Sequence, residues 1–162
     1  MIKLATDKKT ITDQYKKADP SGKKLLNQIF GDKFFLSIPE RIKTWEDAAK
    51  EYGVDPVESL PYPKPTNNRQ EALNAFYMLD IISEILCEGV VLDWEDSDQK
   101  KWYPYFNDYT PGSGSRFIGT DYDWANANAA GGARLCVPTS ELAGYFGEQF
   151  LSIWKQFLNP IK

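Results

Sequence analysis

Arg69–Glu88, RQEALNAFYMLDIISEILCE, decides the fold class of this 162-residue chain. Leu73, Phe76, Leu79, Ile82 and Leu86 recur at spacings of three and four, the repeat of one helix face. Tyr77, Met78, Ile81 and Ile85 widen that face until little of the circumference is polar. The spacing therefore predicts a central helix, ended by Gly89. Asp80, Glu84 and Glu88 form its polar edge, and like charges four apart repel by a few tenths of a kcal/mol. That row is expected to face water or a cation.

Upstream, Leu60-Pro61-Tyr62-Pro63-Lys64-Pro65 alternates proline with other residues, so it reads as a stiff extended connector over 61–66. Before it, residues 1–60 read as a basic helical part. Asp19-Pro20 is a helix start, because Asp supplies a cap oxygen and Pro fits the first turn. Leu25, Leu26, Ile29 and Phe30 then share one side until Gly31. Thr44-Trp45-Glu46-Asp47 has capping-box spacing, and Gly53 terminates the short helix after it.

Downstream, the pattern changes over 90–138. Val90–Leu92, Trp102–Phe106, Arg116–Ile118 and Ala133–Val137 are short β-favouring runs between turn-rich segments. Pro104 confines its strand to an edge or an irregular position. Alternation in the last run puts Ala133, Leu135 and Val137 on one face, with Arg134 and Cys136 on the other. A last helix spans 140–158, with a stripe of Leu142, Phe146, Phe150, Ile153 and Phe157. Gly144 and Gly147 each weaken it by about 1 kcal/mol relative to Ala, so close backbone approach is expected there. The predicted fold is α+β: several helices packed on a small antiparallel sheet, in a single domain over 1–162.

Composition excludes several kinds of chemistry. The chain has no His, which removes the commonest general base and the usual transition-metal ligand. Two Cys, Cys87 and Cys136, are too few for a zinc cluster and read as free thiols. No metal, cofactor or catalytic residue is expected, and the balance leans away from an enzyme. No run approaches the roughly 18 apolar residues of a membrane span. Met1–Thr10 also lacks the apolar middle of a signal peptide, so the expected setting is cytoplasmic, with no membrane partner. Residues 1–50 carry 11 Lys/Arg against 7 Asp/Glu, and residues 51–100 carry 3 against 11. Lys8-Lys9, Lys16-Lys17 and Lys23-Lys24 read as a solvated face, and the absence of a recognisable module disfavours nucleic acid.

The candidate site lies in 102–135. Tyr105, Tyr122 and Trp124 belong to an aromatic cluster interleaved with glycines. Gly112-Ser113-Gly114-Ser115-Arg116 and Ala130-Gly131-Gly132-Ala133-Arg134 form a near-repeat in which small residues lead into an Arg. The combination suits a flat anion. Gly112, Gly114, Gly131 and Gly132 would offer backbone N–H groups, Arg116 and Arg134 planar forks for phosphate, and the aromatics stacking faces. Neither cluster matches the phosphate-loop or dinucleotide pattern. The carboxylates of Asp93–Asp98 could bind a cation, but the run lacks the glycine and distal Glu of a calcium loop and reads as an exposed turn.

Over roughly residues 94–158 the chain resembles a loose group of small uncharacterised proteins of Bacteroidota genomes, their prophages and phages. The residues that carry the resemblance are Trp102–Phe106, Ser113–Phe117, Ala133–Cys136, Ser140–Tyr145 and Gln149-Phe150. No activity attaches to that group, so no site residue is carried over. The resemblance implies a phage-type accessory setting in a bacterial cytoplasm, where such proteins bind host components, including nucleotide signals of defence. The leading expectation is thus a non-catalytic protein that binds, and so sequesters, a nucleotide-like anionic small molecule at the two Arg. The alternative is a protein–protein module acting on a host or virion protein. A homo-oligomer is left open.

Overall fold

A computed structural model of the chain describes residues 8–107, 116–123 and 133–158. Its backbone contacts gather into two units, Met1–Arg41 and Ile42–Lys162.

The first unit holds α1 (Lys8–Lys17), α2 (Pro20–Phe30), a 3-10 turn (Asp32–Phe35) and α3 (Ile38–Arg41). The α2 start is the one the sequence encodes: Asp19 caps it by accepting from the Gly22 N–H at 2.7 Å, with Pro20 in the first turn. The Gly31 N–H closes the helix on the Asn27 carbonyl at 2.8 Å. Rings supply the packing, with Tyr15 stacked on Phe35 at 3.8 Å and Phe34 edge-on to Phe35 at 5.0 Å. No residue of α2 is fully buried.

In the second unit, α4 (Trp45–Tyr52) opens with the expected reciprocal capping box between Thr44 and Asp47 and stops at Gly53. The α5 helix (Asn68–Cys87) is the predicted central helix, capped by Asn67, which accepts from the Gln70 N–H. Leu79, Ile82 and Leu86 are fully buried, whereas Leu73, at the start of the predicted stripe, is exposed. Buried Asn74 treats the proline-rich connector as a neighbouring strand. Its Oδ1 accepts from the Tyr62 N–H at 2.9 Å and its Nδ2 donates to the Tyr62 carbonyl at 2.7 Å. A connector that cannot build its own ladder is thereby tied to α5.

Among the described residues the sheet is one antiparallel hairpin of β1 (Lys101–Asn107) and β2 (Arg116–Asp123), packed on α6 (Ser140–Gln149); α5 packs on α7 (Leu151–Leu158). This is the α+β class, with fewer strands than the sequence suggests. Val90–Leu92 has no ladder. Ala133–Leu135 forms a 3-10 turn, and only Val137 bridges a strand, at Trp102. The alternation expected there fails because Leu135, Cys136 and Val137 are all buried, which a 3-10 turn entering the core allows and a flat strand does not.

The C-terminal helix is also divided. At Phe150 (φ −105°, ψ 24°) the backbone leaves helical geometry, and the N–H groups of Ile153 and Trp154 both bond to its carbonyl. The break lets the Phe150 side chain sink beside Tyr145 and Phe146, with ring centroids at 6.0 and 6.2 Å. The Tyr145 hydroxyl donates to the Ile42 carbonyl, and the Gln149 amide donates to the Lys43 carbonyl at 2.7 Å. These bonds fasten α6 to the segment before α4.

Candidate functional site

The hairpin's two faces are set by three local features. Trp102 exchanges both backbone hydrogen bonds with Val137, at 3.0 and 2.8 Å, so its polar groups turn away from β2. Two residues on, the Pro104 nitrogen points to the same outer edge, where its missing N–H costs no ladder bond. The third feature is a bulge. Tyr105 pairs with Gly119 but Phe106 pairs with Phe117, leaving Ile118 as the extra residue.

The bulge sends both Thr120 and Phe117 to the α6 side, which strict alternation forbids. The Thr120 hydroxyl lies 2.8 Å from the Ser140 hydroxyl, and the Phe117 ring lies against the backbone of Gly147. Gly147 thus has the close approach that the sequence demanded of it. Gly144 meets only the Thr120 methyl, at an ordinary 3.8 Å.

The opposite face carries Lys101 at one end and Tyr105 and Ile118 toward the other. Lys101 is fully buried. Its Nζ donates to the Asp96 carbonyl at 2.6 Å and stands 5.6 Å from the Trp94 ring centre, so the acidic turn covers that end. Within the turn, Asp93 and Asp96 accept from the Glu95 and Asp98 N–H groups, as short Asx turns do. Among the described residues no three potential metal-ligating side chains come together. Tyr105 and Ile118 are 51% and 50% exposed, and Arg116 is exposed beside them in β2.

The sequence-derived site residues divide accordingly. Gly112, Gly114, Gly131, Gly132 and Trp124 lie outside the described residues. Arg116 pairs with Asn107 at one end of the hairpin and Tyr122 with Trp102 at the other, a separation of about 20 Å at strand rise. Arg134 stands three residues before Val137, at the Trp102 end. Its guanidinium is already matched to Asp80 of α5 at 3.4 Å, in an exposed pair worth about 0–1 kcal/mol. Asp80 therefore has the cation its acidic row was expected to need. Tyr122 is engaged on its ring: Lys100 Nζ sits 4.2 Å from its centre, and Trp102 packs at 4.7 Å. Tyr105, Arg116 and Arg134 are the described candidates that face solvent, and of these Arg134 is engaged by Asp80.

Sequence reasoning missed the buried Lys101. A lysine following an acidic run reads as surface, and only the fold of the 93–98 turn over the strand encloses it.

Cys87 and Cys136 are free thiols, with the Cys87 Sγ 3.7 Å from the Cys136 carbonyl. Burial, then the charge of Glu84, pushes Cys87 up from 9.0 to about 11. Burial, then Asp123 and Cys87, does the same for Cys136. Because the folded form holds these protons more tightly than the unfolded chain, the associated stability is complete below pH 9 and is lost as pH rises toward 11. Ellman's reagent is therefore expected to label the native protein slowly at pH 8 and rapidly in denaturant, and the melting temperature is expected to fall above pH 9. Fast stoichiometric labelling of the native form would contradict this. No family model, curated protein or solved structure matches the chain.

Proposed function

We propose that the chain is a non-catalytic interaction module that binds a host or virion protein through the outer face of its hairpin, in a phage-type accessory setting. One observation carries the reading: Tyr105 and Ile118 stand half exposed next to Arg116. Tyr and Arg are the residue types that anchor protein interfaces, and a flanking aliphatic helps exclude water around them. Truncation of such an anchor costs about 2 kcal/mol or more, so Tyr105→Ala and Arg116→Ala are each expected to weaken the complex about 30-fold or more. The measurement is a pull-down from host lysate with quantified recovery, alongside circular dichroism of each variant. One stoichiometric partner, lost in both folded variants, supports the reading. Equal recovery by wild type and variants overturns it.

A second reading, a nucleotide-like anionic small molecule such as a host-defence signal, draws on the opposite end of the hairpin. Lys100 stands over the Trp102 and Tyr122 rings there, and the exposed Arg134 lies three residues before Val137, which bridges Trp102. A ligand would have to displace Asp80 from Arg134 and Lys100 from Tyr122. A thermal-shift screen of mono-, di- and cyclic nucleotides tests it, since a hundredfold excess over Kd adds about 2.7 kcal/mol of stability. Native mass spectrometry weighs any retained compound.

A further inference from the structure

We infer that the Trp102–Tyr122 ring pair is a binding site for a trimethylammonium group, with the chain's own Lys100 standing in the ligand's place. The inference is separate from the hairpin-face reading. It uses the end of the hairpin to which the anion reading also points, but it takes a ligand of opposite charge.

Trp102 of β1 and Tyr122 of β2 are direct cross-strand partners. Their ring centres lie 4.7 Å apart with the planes tilted by 53°, so the pair forms a V and not a parallel stack. The Lys100 ammonium stands over both rings, 4.2 Å from the Tyr122 centre and 5.7 Å from the Trp102 centre. Both distances fall within the roughly 6 Å at which the negative face of a ring attracts a cation. All three residues are partly open to solvent.

The occupant identifies the chemistry that the V accepts, and Lys100 is an occupant that can leave. A primary ammonium gains little over partly exposed rings, because it is compact, strongly hydrated and carried on a stem that loses rotamer freedom. A trimethylammonium group has the same charge without N–H groups to hydrate, and its methyls bury apolar surface on the rings. It gains more from the same two faces.

Charge also favours a cation. Residues 93–107 and 116–123 hold six Asp/Glu against three Lys/Arg. Of those three cations, Lys101 is enclosed beneath the acidic turn and Arg116 lies at the far end of the hairpin. Asp121 and Asp123 flank Tyr122 in β2, and Arg134 is matched by Asp80. A phosphate would enter against this field, whereas a cation is drawn in by it.

The test is saturation-transfer NMR on the full chain, with tetramethylammonium, choline and a short peptide bearing trimethyl-lysine as probes. Transfer to the N-methyl protons is expected. It is strongest for choline if the natural source is a free small molecule, and for the peptide if it is a modified lysine side chain. The uncharged tert-butyl analogue of choline is expected to bind about fivefold more weakly or worse. Lys100→Ala is expected to tighten probe binding about three- to sixfold, because it empties the V without touching its walls. Tyr122→Leu is expected to weaken binding about fivefold or more, with circular dichroism confirming the fold of each variant. If Tyr122→Leu does not fold, Lys100→Ala decides alone. No transfer to any probe in wild type or Lys100→Ala, equal binding of the uncharged analogue, or binding untouched in folded Tyr122→Leu would overturn the proposal. So would a Lys100→Ala protein that binds the probes no more tightly than wild type, or one that loses a nucleotide held by wild type, the result that the anion reading requires.

Discussion

Trp154→Ala is expected to lower the unfolding free energy by about 3–5 kcal/mol, the usual cost of deleting a buried large aromatic. Trp154 is 2% exposed and sits where three elements meet. Its ring centre lies 5.0 Å from Phe106 of β1, 4.9 Å from Phe146 of α6 and 6.2 Å from Phe157 of α7. Its Nε1 also donates at 3.1 Å to the Phe146 carbonyl in the last turn of α6. Removing the side chain opens a cavity and strips that carbonyl of the indole donor. Domains of this size have about 5–15 kcal/mol in total, so the variant should approach the limit of folding. Urea and thermal melts measure the loss. Trp154→Phe separates the two contributions, since it keeps most of the ring contact and forfeits the indole hydrogen bond, about 1–3 kcal/mol if the carbonyl stays dry. A Trp154→Ala protein as stable as wild type would mean that this aromatic junction does not hold the hairpin to the helices.

Gly147→Leu is expected to cost about 3 kcal/mol, although leucine is by far the better helix former. Any β-carbon at this position overlaps the Phe117 ring and comes within 2.9 Å of the Pro104 Cβ. The pinch is between an α-helix backbone and a strand, and neither neighbour is the free end of a flexible side chain. Gly147→Ala gains about 1 kcal/mol of helix propensity against about 1–3 kcal/mol of overpacking, so its net effect is a smaller loss. Gly144→Ala is the control. With only the Thr120 methyl at 3.8 Å, it should be neutral or stabilising by up to about 1 kcal/mol. If the two alanine variants melt together, the hairpin does not press on α6 as described.

Helix starts were legible in the sequence because capping is local. Asp19, and Thr44 with Asp47, each satisfy N–H groups three residues away. The central helix was legible because twenty residues of consistent periodicity outweigh any single exception such as Leu73. Short runs were not. Ala133–Val137 alternates apolar and polar residues over five positions, too few to distinguish a strand from a 3-10 turn leading inward. The break at Phe150 depended on which rings it would meet, and no neighbour in sequence specifies those. The candidate site suffered in the same way. Arg134 and Asp80 lie 54 residues apart in the chain, and their pairing is a property of tertiary structure. The outer face with Tyr105 and Ile118 could not be assigned without knowing where the bulge falls.

That single inserted residue acts as a parity inverter in the hairpin. On one side of Ile118 the even-numbered positions of β2 turn inward, as Thr120 does, and on the other side Phe117 does. Excising Ile118 would leave Phe117 and Thr120 two positions apart in a regular ladder, both still on the α6 side, with the local kink removed. Sequence comparisons aligned by alternation alone will misplace one half of the hairpin against the other.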